Sequence, residues 1–202
     1  MELTNLGFEA KYSVERLDSP PRGRVREFRQ PRRSGRAGEL VLETGSESLW
    51  LEVNPSDGES WIGGFECGPG RLTGLFATPS PDVVCVVVKG QGFWVPVLLP
   101  GDVEIIRSLP IQEVFAIPGK PILVFADYTE LEAYGEGGFL WRTERLAWDG
   151  LKVTEVTAET IRGMAWDSPA NREVPFAVDT ESGASEGGSS PPKYGAGQSR
   201  GI

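Results

Sequence analysis

Hydrophobic residues in this chain come in short bursts separated by turn formers. Between residues 39 and 179 the bursts are GELVLETG, ESLWLEVN, DVVCVVVKG, GFWVPVLL, VEIIRSL and KPILVFAD, then ELEAYG, GFLWRTERL, LKVTEV, ETIRGMAWD and VPFAVD. Most run for about 5–8 residues, are rich in β-branched and aromatic side chains, and stop at Gly, Pro, Asn or Asp, as strands do. No stretch keeps apolar residues on one helical face for three turns, although residues 1–18 have room for one short helix. The pattern predicts an all-β body over residues 39–179.

An internal echo refines that picture. LFATPSPDVVCVVV at 75–88 and VFAIPGKPILVFAD at 114–127 share Phe-Ala-x-Pro, a second Pro and an apolar strand, at an offset of 39 residues. A weaker echo sets ETGSESLWLEVN at 43–54 against EVTAETIRGMAWD at 155–167. Together they predict a single domain of about four antiparallel strand-turn-strand units, propeller-like or arranged as a sandwich or barrel.

The two ends have a different composition. Residues 19–38, SPPRGRVREFRQPRRSGRAG, hold only Val25, Phe28 and Ala37 as apolar residues. That is too little to repay the entropy of ordering in isolation, so residues 1–38 are expected to be an N-terminal segment ending in an Arg-rich arm. Residues 180–202 have the Gly, Ser and Pro content of a disordered tail. Across all 202 residues there are 26 Gly and 16 Pro, which favours many short strands.

Charge is distributed unevenly. The net charge is −9, yet Arg16, Arg22, Arg24, Arg26, Arg29, Arg32, Arg33 and Arg36 against Asp18 and Glu27 make residues 16–36 locally +6, leaving −15 for the rest. Such a body repels nucleic-acid phosphates, so only the Arg16–Arg36 arm is a candidate for binding them. Phe28 is the one aromatic residue in that arm, which gives little for base stacking.

The pairs Trp148-Asp149 and Trp166-Asp167 raise the question of a WD-repeat. They lie 18 residues apart, and the chain has no histidine for the Gly-His that completes each such blade, so the repeat is excluded. Each Trp is expected to end a strand and each Asp to open a turn. The stretch 146–188, with Trp-Asp-Gly-Leu-Lys-Val followed by Pro-Phe-x-Val-Asp-x-x-x-Gly, resembles the closing segment of a group of bacterial all-β proteins that have no assigned activity. The resemblance spans about a fifth of the chain. It implies a stand-alone β-rich fold and names no substrate.

Absence of histidine removes Ser-His-Asp and Cys-His nucleophiles, His-ligated zinc and imidazole proton shuttles. GPGRLTG at 68–74 lacks the Lys of a phosphate loop and is expected to be a turn. NPSDGES at 54–60 and DTESG at 179–183 gather oxygens without the ladder of a calcium loop, and hairpin turns explain both. Cys67 and Cys85 match no metal or redox spacing, and Cys85 is expected to be a buried thiol. No apolar run approaches the ~20 residues of a membrane span, and a cytoplasmic protein without cofactor, metal or membrane contact is expected.

Two functions remain. The first is a non-enzymatic binding module whose acidic body offers Trp141, Trp148, Asp149, Trp166 and Asp167 to a protein partner, a basic one by charge. Small acidic proteins that neutralise basic toxins fit this description, as do many scaffolds. The alternative is a carboxylate-dependent enzyme acting on glycans, or a carbohydrate-binding domain. Its candidate residues are Asp127, Glu130 and Glu132, since Glu130 and Glu132 share a strand face beside Asp127 at the rim.

Overall fold

The computed structural model describes residues 1–19, 25–29 and 48–189. Its first strands are β1 (Leu3–Thr4), β2 (Tyr12–Leu17), β3 (Arg26–Phe28), β4 (Ser48–Pro55) and β5 (Trp61–Glu66). Then come β6 (Gly74–Ala77), β7 (Val83–Val88), β8 (Gln91–Pro96) and β9 (Glu104–Ile105). The second half supplies β10 (Glu113–Ala116), β11 (Leu123–Ala126), β12 (Leu131–Gly135) and β13 (Gly138–Arg142), then β14 (Leu151–Val156), β15 (Thr160–Asp167), β16 (Arg172–Asp179) and β17 (Ser185–Gly187). Among the described residues the sole helical piece is a 3₁₀ turn at Pro100–Asp102, so none is long and apolar enough to cross a membrane.

The strands form four sheets. Sheet I has the order β2-β4-β5-β3, sheet II β1-β6-β7-β8-β9, sheet III β10-β11-β12-β13 and sheet IV β14-β15-β16-β17. Sheets III and IV are antiparallel meanders throughout, whereas β3 joins β5 and β1 joins β6 in parallel. The two echoes in the sequence fall on equivalent places. The stronger one covers β6–β7 and β10–β11, the hairpins that begin the meanders of sheets II and III; the weaker one covers β4 and β15, each the second strand of its sheet.

Three buried clusters stack these sheets in the order I, II, III, IV. Leu51, Val53 and Phe65 of sheet I meet Leu75, Val86, Phe93 and Val95 of sheet II. The opposite face of sheet II, with Cys85, Val87 and Trp94, meets Leu123, Phe125 and Tyr134 of sheet III. The far side of sheet III, with Val124, Leu131 and Ala133, meets Ile161, Ala165, Phe176 and Val178 of sheet IV. Among the described residues no cluster joins sheet IV back to sheet I.

Sequence pattern follows position in the stack. Every residue of β7, β11 and β12 is buried, because these strands are covered on both faces; β7 and β11 are continuously apolar, while β12 carries the buried Glu132. In β4 and β15 burial alternates, because one face of each end sheet meets water. Cys85 sits in the fully covered β7, where burial pushes its thiol pKa up; neither cysteine forms a disulfide.

Three expectations need correction. Residues 1–18 hold strands β1 and β2 in place of a helix, since Tyr12, Val14 and Arg16 alternate with Ser13, Glu15 and Leu17 at period two. The described part of the Arg-rich arm belongs to sheet I: Arg16 lies in β2, Arg26 in β3, and Phe28 is buried and stacked on Phe65 at 4.6 Å. The ordering entropy is repaid by aromatic partners contributed from β5, which the segment's own composition cannot reveal. Arg22, Arg24, Arg32, Arg33 and Arg36 lie outside the described residues.

The third correction concerns the tail. Thr180 is fully buried, and Ser185–Gly187 pair with β16 as β17. The Lys120 ammonium donates to the Thr180 hydroxyl at 3.1 Å and to Glu181 at 2.9 Å, while Trp141 Nε1 donates to the Thr180 carbonyl at 3.0 Å. Tertiary hydrogen bonds therefore hold what local composition left loose. The remainder of the expected tail, from 190 onward, lies outside the described residues.

Candidate functional site

The two Trp-Asp pairs, 18 residues apart in sequence, meet at one end of sheet IV. β14 and β15 pair with Leu151 opposite Ala165, which carries the preceding Trp148-Asp149-Gly150 alongside Trp166-Asp167. Trp148 N–H donates to the Trp166 carbonyl at 3.1 Å, and Trp166 N–H donates to the Gly150 carbonyl at 2.9 Å. Gly150 turns the chain at φ +96°, a conformation a side chain would strain, and its N–H donates to the Tyr128 carbonyl at 3.0 Å. The β11–β12 turn of sheet III thus adds Tyr128 to the same rim.

Exposure divides these residues by role. Tyr128 is 45% exposed and Asp149 is exposed, whereas Trp148, Trp166 and Asp167 are half-buried. Arg145 fixes the approach of the chain, its Nε donating to the Ala147 carbonyl at 2.9 Å and a terminal nitrogen to the Trp148 carbonyl at 2.5 Å. Asp167 Oδ1 accepts a long bond, 3.4 Å, from Ala170 N–H in the turn leading to β16. Among the described residues neither Asp149 nor Asp167 forms an ion pair. The rim therefore combines aromatic area at low entropic cost with two carboxylates whose charge no cation of the described chain neutralises.

Trp166 also belongs to the solvent face of sheet IV. Its register partner on β16 is Glu173, and the neighbouring pair Met164 and Pro175 continues the face, with Met164 half-buried and Pro175 exposed. Sequence reading missed Tyr128 and this continuation. The DYT turn and the alternation in β15 were the available signals, but only the tertiary fold brings the turn beside Gly150.

Trp141 does not share the rim. It is 6% exposed within the core between sheets III and IV, its ring lies against Gly183 at φ +70°, and its indole N–H is spent on Thr180. An irregularity in the β12–β13 register sets Trp141 opposite Ala133 and turns it toward sheet IV, which sequence alone could not orient. Trp94 is likewise buried, while Trp61 is half-buried with its Nε1 donating to the Val97 carbonyl at 2.8 Å.

The three candidate carboxylates are brought near one another and then separated by their partners. Asp127 Oδ1 closes its own turn, accepting Thr129 N–H at 2.7 Å, Thr129 Oγ at 3.1 Å and Glu130 N–H at 2.8 Å. Glu130 pairs with Arg142 on β13. Glu132 is fully buried: its Oε2 accepts Ser108 N–H at 2.8 Å and Ser108 Oγ at 3.0 Å, and its Oε1 accepts the Tyr134 hydroxyl at 3.2 Å. Burial, then the charge of Glu132, holds the Tyr134 phenol pKa far above its ordinary value. An acid and a base for glycoside cleavage must both face one sugar, and these three side chains are directed to a turn, to β13 and into the core.

The oxygen-rich turns are closed by their own bonds. Asp179 Oδ1 accepts Ser182 Oγ at 2.6 Å, Ser182 N–H at 2.8 Å and Glu181 N–H at 3.1 Å, and these bonds, the hydroxyl first, lower its carboxyl pKa. In NPSDGES, Ser60 Oγ donates to Asn54 Oδ1 at 2.5 Å. Among the described residues no group of three metal-ligating side chains converges. GPGRLTG is a turn, with Gly68 and Gly70 N–H groups donating to the carbonyls of Val88 and Lys89.

No protein-family model matches the chain, and no curated protein matches it.

Proposed function

We propose that this protein is a binding module that recognises a basic protein partner through the rim formed by Tyr128, Trp148, Asp149, Trp166 and Asp167. The observation that carries the proposal is the pairing of the two Trp-Asp dipeptides across the start of the β14–β15 hairpin. It sets two half-buried indoles on one end of the sheet, with two carboxylates that form no ion pair among the described residues. A net charge of −9 adds long-range attraction for a cationic surface, and the aromatic area supplies the short-range contact. The structural commitments of Asp127, Glu130 and Glu132 weigh against glycan hydrolysis.

Capture experiments test this. Immobilised protein is expected to retain a basic protein from an extract of its own cells at ~50 mM salt and to release it at ~0.5 M, where exposed charge pairs are screened. The variant Trp166→Ala/Asp149→Asn, changed at half-exposed and exposed positions, is expected to retain at least tenfold less, the loss of one interface anchor being worth about 2 kcal/mol. Equal retention by the variant, or none by either protein at low salt, contradicts the proposal.

A further inference from the structure

Strand β17 runs toward the Trp-Asp rim. It pairs antiparallel with β16, Val178 opposite Ser185 and Phe176 opposite Gly187, so its chain heads for the end of sheet IV where β16 begins with Arg172 opposite Asp167. Two glycines then turn it off the sheet. Gly187 and Gly188 have φ of +75° and +73°, and a β-carbon on them would strike the carbonyl oxygens of Pro175 and Leu146 respectively, so the exit is built for glycine alone. Gly188 N–H donates to the Pro175 carbonyl at 2.9 Å, and Ser189 N–H donates to the Leu146 carbonyl at 2.7 Å. Leu146 stands two residues before Trp148, and its own N–H donates at 2.8 Å to the carbonyl of Thr129, the neighbour of Tyr128. Ser189, the last described residue, is therefore fixed beside the rim.

The sequence that follows suits that surface. Residues 190–202, SPPKYGAGQSRGI, lie outside the described residues; they hold Lys193 and Arg200 and no acidic side chain, which leaves −11 for the rest of the chain. Pro-rich segments dock on aromatic surfaces because the polyproline II form is already extended and loses little entropy on binding. A lysine beside the prolines is drawn to carboxylates. The rim presents Tyr128, Trp148 and Trp166 as aromatic faces. Its charges are Asp149, Asp167 and Glu173 against Arg145 and Arg172, and Arg145 already donates to the carbonyls of Ala147 and Trp148. Four residues of polyproline II span about 12 Å, whereas Leu146 and Trp148 are separated by no more than about 7 Å of chain.

We infer that residues 190–202 are the rim's own ligand, with Pro191 and Pro192 on the indoles of Trp148 and Trp166 and Lys193 toward Asp149 and Asp167, in competition with the basic partner. The inference rests on the reading of the rim as a binding surface and adds its regulation. A tether this short supplies a millimolar effective concentration, so a contact of millimolar affinity, too weak to hold separate molecules together, fills the rim about half the time. A tighter partner displaces the segment and loses about twofold in apparent affinity by doing so.

Hydroxyl-radical oxidation of the full-length protein, with no partner present, tests this. The variant Pro191→Ser/Pro192→Ser/Lys193→Ser, changed only outside the described residues, is expected to oxidise at Trp148 and Trp166 about twofold faster than the unchanged chain, with Phe139 and Trp61 unaffected as references. A synthetic peptide of residues 189–202 at ~5 mM is expected to restore the variant's protection, and roughly tenfold dilution of the unchanged protein should leave its own protection intact, since the contact lies within one chain. With limiting partner, the variant should also retain about twofold more in the capture experiment. Equal oxidation of Trp148 and Trp166 in the two proteins, no protection by the peptide, or protection that fades on dilution and so belongs to a second copy, overturns the inference. Because no partner enters the oxidation assay, its failure and a failure of the capture experiment are told apart.

Discussion

Phe125→Ala is expected to destabilise the protein by about 3–5 kcal/mol, the cost of removing a fully buried ring and leaving a cavity. Phe125 has no exposed surface, meets Tyr134 edge-on at 5.5 Å and packs in the cluster with Trp94, Ile106, Ile111 and Leu123. The layer it fills joins sheets II and III, so its loss weakens the centre of the stack. Collapse around the cavity is limited because β7, β11 and β12 are each covered on both faces. The midpoint of guanidinium unfolding should fall with an unchanged slope, and the melting temperature should drop on the order of 10 °C. A loss below about 1 kcal/mol would mean that sheets II and III do not pack as described.

Glu132→Ala is expected to cost a comparable amount, about 3–5 kcal/mol, for a different reason. The carboxylate accepts three hydrogen bonds from Ser108 N–H, Ser108 Oγ and the Tyr134 hydroxyl inside the core, and its removal strands all three donors away from water. Glu132→Gln keeps a carbonyl acceptor and should lose less. Glu130→Ala, which removes only the ion pair with the part-exposed Arg142, should lose no more than about 1 kcal/mol. Chemical denaturation of the three variants measures the ordering directly. Were Glu132 a catalytic group facing substrate, its replacement would leave stability intact or raise it, since active-site carboxylates are held at a cost to the fold.

The strand content was legible because burial writes itself into alternation. β4 and β15 alternate and β7 is continuously apolar, so SLWLEVNP, TIRGMAWD and VVCVVV announce a half-covered strand, another half-covered strand and a fully covered one. Echoes at 75–88 and 114–127 marked equivalent hairpins in sheets II and III. Elements stabilised by partners from elsewhere were illegible. β3 is three residues whose one apolar side chain, Phe28, is rewarded only by Phe65 and Trp61, and β17 has no buried residue of its own.

The rim was legible in part for the same reason. Trp166-Asp167 was visible as a strand end with a turn-forming Asp, whereas Trp148, expected to end a strand, lies between β13 and β14; the β14–β15 register brings the two pairs together. What sequence could not settle was orientation. Trp141 looked equivalent to the other two, yet the face of β13 that it occupies turns it into the core. Glu132 alternates as a solvent-facing residue would, but both faces of sheet III are covered, so the same parity buries it.

Hydroxyl-radical footprinting of the complex with whichever basic protein is captured tests the central claim most directly, because it oxidises exposed aromatic side chains and reads each one separately. Tyr128, Trp148 and Trp166 lie on the rim, while Phe139, 49% exposed on β13, and Trp61 on sheet I serve as internal references. Partner binding is expected to suppress oxidation of Tyr128, Trp148 and Trp166 severalfold and to leave Phe139 and Trp61 as reactive as in the protein alone. Protection of Trp61 or Phe139 with the rim still open to oxidation would contradict it.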